Sequence, residues 1–371
     1  MITSVQLQNF KSFQNQRIPL ERLTVLVGAN ASGKTSVLDA IWIAVQATLN
    51  GQTQISGLAN VRALNRPGWE LDSLYTRGAA GQLFIQCNSN IRPIGFFADP
   101  PVLHDVGRSK WTIKIDKPTL VDPDERPLQN YGVPTPEYLK LNATKLSIAT
   151  YADQFPPRMA TDGEGLPSVL ADMALGNRVE FDGLIEEMRR LIPHFMGIRF
   201  TKRLVQRIET ELVRFGDDTV ERQINRDFQG DAILFDFQNA KGISAHLVSE
   251  GTLMLLGLLT ILLGPSRPDL LLLDDIEHGL HPLAQKSLLE FLRKIMERFP
   301  NLQVVATAHS PYLLDYLKSE EVRLLTIDPD GYSVCGKLTD HPQFEKWKGE
   351  MAPGEMWSLF GEKWLGEGHV Q

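Results

Sequence analysis

Residues 28–35 read Gly28-Ala29-Asn30-Ala31-Ser32-Gly33-Lys34-Thr35, a G-x-x-x-x-G-K-T spacing. Those residue types in that order suit the holding of a polyphosphate. The backbone of such a loop turns its N–H groups inward, and glycine lets the anion come close. Lys34 supplies positive charge for the β- and γ-phosphates, and the Thr35 hydroxyl suits a magnesium ion. A helix starting near Lys34 adds its positive end to the same anion. Asn30, Ala31, Ser32, Gly33, Lys34, Thr35 and Ser36 are therefore the candidate nucleotide contacts.

Three patterns lie downstream. Residues 269–282 read DLLLLDDIEHGLHP, four leucines followed by Asp274 and Asp275. A carboxylate at the tip of a buried strand can hold a magnesium shell, directly or through water. A solvated loop end or a helix cap is the plainer alternative for both aspartates. Ser249-Glu250-Gly251-Thr252 precedes a strongly apolar run. It reads either as an ordinary helix N-cap or as an anion-binding helix start. Residues 304–314, VVATAHSPYLL, place His309 at the end of an expected strand. An isolated histidine is more often structural, but the strand-end placement favours a functional one.

The elements that must position these residues follow from hydrophobic spacing. Residues 1–27 read as antiparallel strands, with Ile2, Val5, Leu7 and Phe10 spaced for one buried face. The last of them, LTVLV, is nearly all apolar, as expected of a strand covered on both faces. Residues 34–48 read as a helix with Val37, Leu38, Ile41, Ala44 and Val45 on one side. Residues 50–145 read as mostly β with long loops, and residues 83–86, 111–115 and 146–150 are the β-like runs. Residues 166–192 turn helical and Pro193 stops them. Strands return over 195–240, at 198–200, 209–214 and 232–237. One or two more follow Val322, before an end carrying Trp347, Trp357 and Trp364. No repeat and no sustained heptad pattern is present, so no coiled coil is expected.

Taken in order, these motifs resemble the RecF/SMC/OLD-like branch of ABC-type ATPases. The resemblance rests on the opening ITSVQLQNFKSFQNQRIPLERLTVLVGANASGKTSVLDAI, on SEGT, LLLLDD and AHSPYLLD, and on HGLHP where transporters usually read SALD. The segment DGEGLPSVLADM, residues 162–173, is similar as well. Both ends of the chain carry the likeness well, and residues 50–160 weakly. It implies an α/β fold of the P-loop NTPase type: an ABC-type head with a mixed central sheet, an N-terminal antiparallel β subdomain and a helical signature lobe. Residues 1–371 would form a single head, with 1–50 and 250–371 as nucleotide-binding core and 51–249 as an inserted β and helical lobe. ATP and Mg²⁺ are the implied ligands. Two heads would sandwich two ATPs as a homodimer, each P-loop facing Ser249 and Gly251 of the other copy. Asp274 would hold Mg²⁺ together with Thr35, Asp275 would be the general base, and His309 would sense the γ-phosphate.

The chain departs from that pattern in three places. Asp275 stands where the family commonly has Glu, one methylene longer, and Glu277 would then either compensate or order the loop that follows. The glutamine that links Mg²⁺ to a partner domain has no clear motif. Gln154, in ATYADQFPP, is the candidate, and a plain loop residue is the equal alternative. Lys11, in NFKSF, takes the place of a basic residue that lies near the nucleotide in SMC-like heads, with a surface lysine as the bland reading.

Composition narrows the biology. The net charge of −7 and pI near 5.7 set a nucleic-acid coat at a disadvantage. Cys87 and Cys335 lie far apart and offer neither a metal spacing nor a disulfide framework, as in a reducing cytoplasm. The start does not read as a signal peptide. The most apolar run, residues 253–263, is too short to span a bilayer, so no membrane is expected. HGLHP argues against a transporter, and the lack of heptads against SMC-type arms. About sixty residues follow His309, too few for an OLD-type nuclease domain, and they lack an acidic metal cluster. Two readings remain. One is an ATP-switched regulator of a separate effector, a nuclease or toxin, by analogy with phage defence. The other is a RecF-like clamp on duplex DNA. The acidic balance favours the regulator.

Overall fold

Alternation along the first residues produces an edge-to-edge antiparallel sheet. β1 (Ile2–Phe10) buries Ile2, Val5, Leu7 and Phe10 and pairs antiparallel with β2 (Phe13–Pro19). Its other edge takes β4 (Leu83–Ser89), followed by β5 (Ile94–Asp99) and β6 (Thr112–Ile115), all antiparallel. The computed structural model describes residues 1–50, 83–89, 94–99, 112–115, 133–215 and 218–366.

Every residue of β3 (Leu23–Gly28), β11 (Leu270–Leu273) and β12 (Gln303–Ala308) is buried. Strands covered on both faces need continuous apolar runs, and these three supply them. They lie in a six-stranded mixed sheet of order β14-β13-β3-β12-β11-β7. Here β7 is Pro136–Leu139, β13 is Val322–Ile327 and β14 is Ser333–Lys337. β13, β3, β12 and β11 run parallel, with α6 (Pro282–Arg298) between β11 and β12 in the chain, and β14 returns antiparallel on β13. β3 therefore joins this parallel sheet rather than continuing the antiparallel strands before it, as its unbroken apolar run requires. α1 (Lys34–Asn50) follows it, burying Val37, Leu38, Ile41, Ala44 and Val45 in the core shared with β1 and β2. Gln303, 1% exposed, clips the chain start to β12. Its Oε1 accepts from the Ile2 N–H at 2.8 Å, and its Nε2 donates to Ile2 O at 2.7 Å.

The chain forms two compact units, one of residues 1–138, 268–277 and 289–371, the other of 139–267 and 278–288. The strands β4–β6 thus go with the first unit, because β4 pairs with β1. Residues 250–267 go with the second.

The second unit is mainly helical at its base. α2 (Ala143–Ser147) is capped by Asn142, whose Oδ1 accepts from the Lys145 N–H. The helix it starts takes in Leu146 and Ser147 of the run expected as a strand at 146–150, leaving a single bridge at Thr150 to Asp231. α3 (Leu166–Gly176) and α4 (Arg178–Leu191) divide the expected helical stretch at Asn177. α5 (Glu250–Leu263) is apolar all round and buried, as a helix of that composition must be. Its Gly257 is required: a Cβ there would lie 2.8 Å from Leu146 Cδ2. Between α4 and α5 run β8 (Phe195–Phe215) and β9 (Asp218–Phe237), paired antiparallel from Phe195–Phe237 to Phe215–Asp218. β10 (Ala240–Ser244) adds a short third strand to β9. Three short strands were expected where this long ribbon stands. Among the described residues no helix is long and apolar enough to cross a membrane.

Candidate functional site

The parallel sheet delivers Gly28 between β12 and β13. Its φ is +147°, and a Cβ there would lie 2.0 Å from Leu325 O on β13. Gly33, φ +99°, is equally confined, with Ser333 Oγ 2.7 Å and the Phe13 ring 2.9 Å from a Cβ. No side chain fits at either position, so the loop closes only on glycine. The loop is drawn in by a bond from the Ser32 N–H to Ala29 O. Lys34 crosses it, its Nζ donating to Gly28 O at 2.9 Å and Ala29 O at 2.8 Å. Burial lowers the Lys34 pKa, opposed by the charges of Asp275, Asp274, Glu362 and Glu277. In α1 the Val37 N–H bonds Gly33 O. The amides of Lys34, Thr35 and Ser36 precede that first turn and belong to the open end of the helix. Asn30 and Ala31 are exposed on the loop, and Ala31 takes φ +63°. The buried Ser32 Oγ has no hydrogen-bond partner among the described residues. Together these are the features of an anion cradle.

A magnesium ion fits beside it. Asp274 Oδ1 accepts from the Thr35 hydroxyl at 3.0 Å and from the Thr307 hydroxyl at 2.8 Å. That pair of oxygens from the loop and the strand tip is a hard-ligand set of the kind Mg²⁺ takes alongside phosphate. Thr307 also accepts from the Asp275 N–H at 2.8 Å. Asp275 is held at φ +59°, a left-handed conformation uncommon outside glycine. Strain of this kind gathers at working sites. His309 Nε2 lies 3.6 Å from Asp275 Oδ1. Glu277 Oε1 accepts from the His309 backbone N–H, and its Oε2 is buried with no hydrogen-bond partner among the described residues. Burial raises the Glu277 pKa.

The first unit therefore gathers Lys34, Thr35, Asp274, Asp275, Glu277 and His309. Thr307 escaped the sequence reading, although a threonine in the otherwise apolar run VVATA was the available signal. Lys11 pairs with Asp39 of α1 at 2.6 Å, so it is tied to the loop's helix rather than a plain surface lysine. The second unit carries Ser249, Gly251 and Gln154. Ser249 caps α5, its Oγ accepting from the Thr252 N–H and lying 2.8 Å from the Thr252 hydroxyl. Gly251 is buried, and a Cβ there would meet Gly279 O at 2.7 Å. The HGLHP turn thus backs the signature segment, with Gly279 itself at φ +70°. Gln154 is exposed, just before the cis Phe155–Pro156 bond. It lies in the unit that holds neither Thr35 nor Asp274.

Comparison with known proteins agrees with this architecture. The SMC head domain with coiled coil and joint from Pyrococcus yayanosii superposes with a TM-score of 0.54 at 10% identity, covering 96% of this chain and 98% of that one. An SMC head bound to the C-winged helix domain of ScpA gives 0.53 at 15% identity, over 93% and 99%. At such identities the likeness is one of fold. The "Retron Vc95 probable ATPase" of Vibrio cholerae serotype O1 biovar El Tor is 28% identical over 100 residues, 24% of this chain. The match spans only 19% of that relative's length. A family model described as "AAA domain, putative AbiEii toxin, Type IV TA system" matches residues 23–315. That span is well over half of the chain and runs from β3 to the helical turn after His309, so the protein belongs to this AAA-domain family.

Proposed function

We propose that the chain binds Mg²⁺-ATP in the Gly28–Thr35 loop and hydrolyses it between two copies of itself, as a switch for a separate effector protein. The observation that carries this reading is the hydroxyl and carboxylate array at the loop. Asp274 Oδ1 receives both Thr35 and Thr307, and Thr307 also fixes the strained Asp275 next to His309. When bound, the metal neutralises charge on the phosphate oxygens. Thr35 and Asp274 hold it. Lys34 exchanges its loop carbonyls for β- and γ-phosphate oxygens. Asp275 takes a proton from the attacking water, whose oxygen bonds the γ-phosphorus as the bond to the β–γ bridging oxygen breaks, leaving ADP and phosphate. His309 stays against the γ-phosphate, its backbone held by Glu277. Ser249 of the partner subunit and the amide of Gly251 of the partner subunit complete the site through the open end of α5.

The effector reading draws on the family description, on the retron relative and on the acidic net charge. Mixing two inactive variants tests the sandwich. Lys34→Ala removes phosphate binding and Ser249→Arg blocks the signature. Each alone is expected to lose turnover. Mixed in equal amounts, they rebuild one intact site in half of the dimers, and roughly a quarter of wild-type turnover returns. No recovery on mixing, with both variants folded, rules the shared site out. ATP-dependent DNA binding that weakens steeply with salt points to a clamp instead of an effector switch.

A further inference from the structure

Glu362 lies 333 residues from the phosphate loop in sequence, yet touches it. Its Oε1 accepts from the Ala29 N–H at 3.0 Å. The Ala29 carbonyl accepts from Lys34 Nζ at 2.8 Å. One loop residue is thus gripped by a carboxylate on one side and by the phosphate-binding ammonium on the other. Glu362 is aimed by a second bond, since its Oε2 accepts from Trp357 Nε1 at 3.0 Å. Trp357 sits on α8 (Pro353–Phe360), which docks on α7 (Pro311–Leu314). The fit between them is tight. Gly354 N–H donates to Asp315 Oδ1 at 3.0 Å, and a Cβ on Gly354 would lie 2.0 Å from Pro311 O. α7 begins two residues after His309. The segment 353–362 therefore straps the γ-phosphate-sensing loop to the phosphate-binding loop.

We propose that Glu362 is a nucleotide-specificity residue of this site: its carboxylate stands where the third phosphate of ATP must come, so ATP displaces it and ADP does not. The inference rests on the ATP-site reading above. Three of the four carboxylates that act on Lys34 are already placed, Asp274 by Thr35 and Thr307, Asp275 beside His309 and Glu277 on the His309 N–H; Glu362 is the fourth. ADP ends at the β-phosphate. ATP adds a further negative group at the Lys34 end of the loop, against a fixed carboxylate, and like charges a few ångströms apart in a partly buried site repel strongly. Releasing Glu362 frees Trp357 and α8, and through Gly354 frees α7, the element that follows His309. Arrival of the third phosphate is thereby passed to the loop that reads it.

The test is the ratio of two affinities, measured with Mg²⁺ on the full chain by calorimetry. The ligands are ADP and an ATP analogue with a methylene between its β- and γ-phosphates. In Glu362→Gln the dissociation constant of the analogue is expected to fall about tenfold, and that of ADP by less than about twofold. Glu362→Ala is expected to show the same ratio change, because charge and not packing is at issue. Trp357→Phe, which keeps the carboxylate but loosens its aim, shifts the ratio in the same direction by a smaller factor. It carries the test by itself if the Glu362 variants do not fold. Equal shifts for both nucleotides, or none, overturn the inference and leave the ATP site standing. If the wild-type chain binds neither nucleotide, the ATP-site reading fails and this one fails with it.

Discussion

The buried strands under the nucleotide loop and the long β8–β9 ribbon are both β-structure, yet they are built by opposite means. Every residue of β3, β11 and β12 is buried, and their tips carry Gly28, Asp274, Asp275 and the approach to His309. The ribbon pairs along its length but leaves Leu204 72% and Ile208 67% exposed. It is tied by cross-strand pairs such as Arg199–Asp236, Lys202–Asp231 and Arg226–Glu211. Exposed pairs of this kind add little each. Packing is evident where Tyr151 stacks on Phe228 at 4.5 Å with Arg207 over its ring. Where chemistry needs fixed atoms, the chain uses apolar burial. Along the ribbon, the hydrogen-bonded ladder takes the place of that burial.

The sharpest break between the two regions is expected at Asp275. Asparagine tolerates the left-handed turn as aspartate does, and the backbone bond to Thr307 survives. Asp275→Asn should therefore keep its melting temperature while turnover falls by about 10²–10⁴-fold, the usual worth of a general base. An unchanged rate would move that role to Glu277. Next in size is Leu272→Ala, in the strand that presents Asp274. Its side chain is fully buried, and such truncations cost about 2–5 kcal/mol. Chemical denaturation should show that loss, with turnover falling as Asp274 loses its support. A cost below about 1 kcal/mol would mean that the strand tips are positioned by something other than apolar packing.

These contrasts also explain what the sequence disclosed. LTVLV and LLLL were legible as buried strands because two covered faces demand unbroken apolar residues. The loop and the aspartates after LLLL were legible as candidates because phosphate and metal chemistry would fix both residue type and spacing, and the fold brings Thr35 to Asp274. The ribbon was not. Leu204, Gln206, Ile208 and Thr210 are exposed and Val205, Arg207 and Glu209 only half-buried, so no buried apolar side alternates along it, and the sequence showed only the pieces 198–200, 209–214 and 232–237, the first and last of them near Phe195, Ile233 and Phe235, which are buried. Thr307 was hidden because its role needs the parallel pairing that brings β11 and β12 together at Leu273 and Ala306. Glu362 was hidden because no local pattern links a carboxylate near the end of the chain to a loop near its start. Glu277 remained open between proton acceptor and loop support, and its bond to the His309 amide supports the second role.

That choice can be tested through pH. Burial holds the Glu277 carboxyl above the ordinary range. A raised folded-state value means that the proton binds more tightly in the native state. Its contribution to stability is complete below the unfolded value and is lost as pH rises through the folded one. Glu277→Gln keeps an oxygen for the His309 N–H and removes the ionisation. Near pH 7.5 the variant should melt higher than wild type. Below the ordinary carboxylate pKa, near pH 4, that gain should vanish. Turnover should stay within about threefold of wild type. A loss on the scale of a missing base would instead make Glu277 the proton acceptor.

The smallest effect is expected on the ribbon, and its smallness is the point. Leu204→Ser with Ile208→Ser replaces two large apolar side chains by polar ones in the middle of β8. In a buried strand such a double change would unfold the protein. Here both side chains already face water, so little transfer energy is lost, and surface substitutions of this type stay within about 0.5 kcal/mol each. Melting temperature and nucleotide affinity should match wild type. If the double variant instead melts several degrees lower, these two side chains are covered in solution. The ribbon would then be an apolar contact surface, and the contrast between buried strands and an exposed ladder would no longer hold.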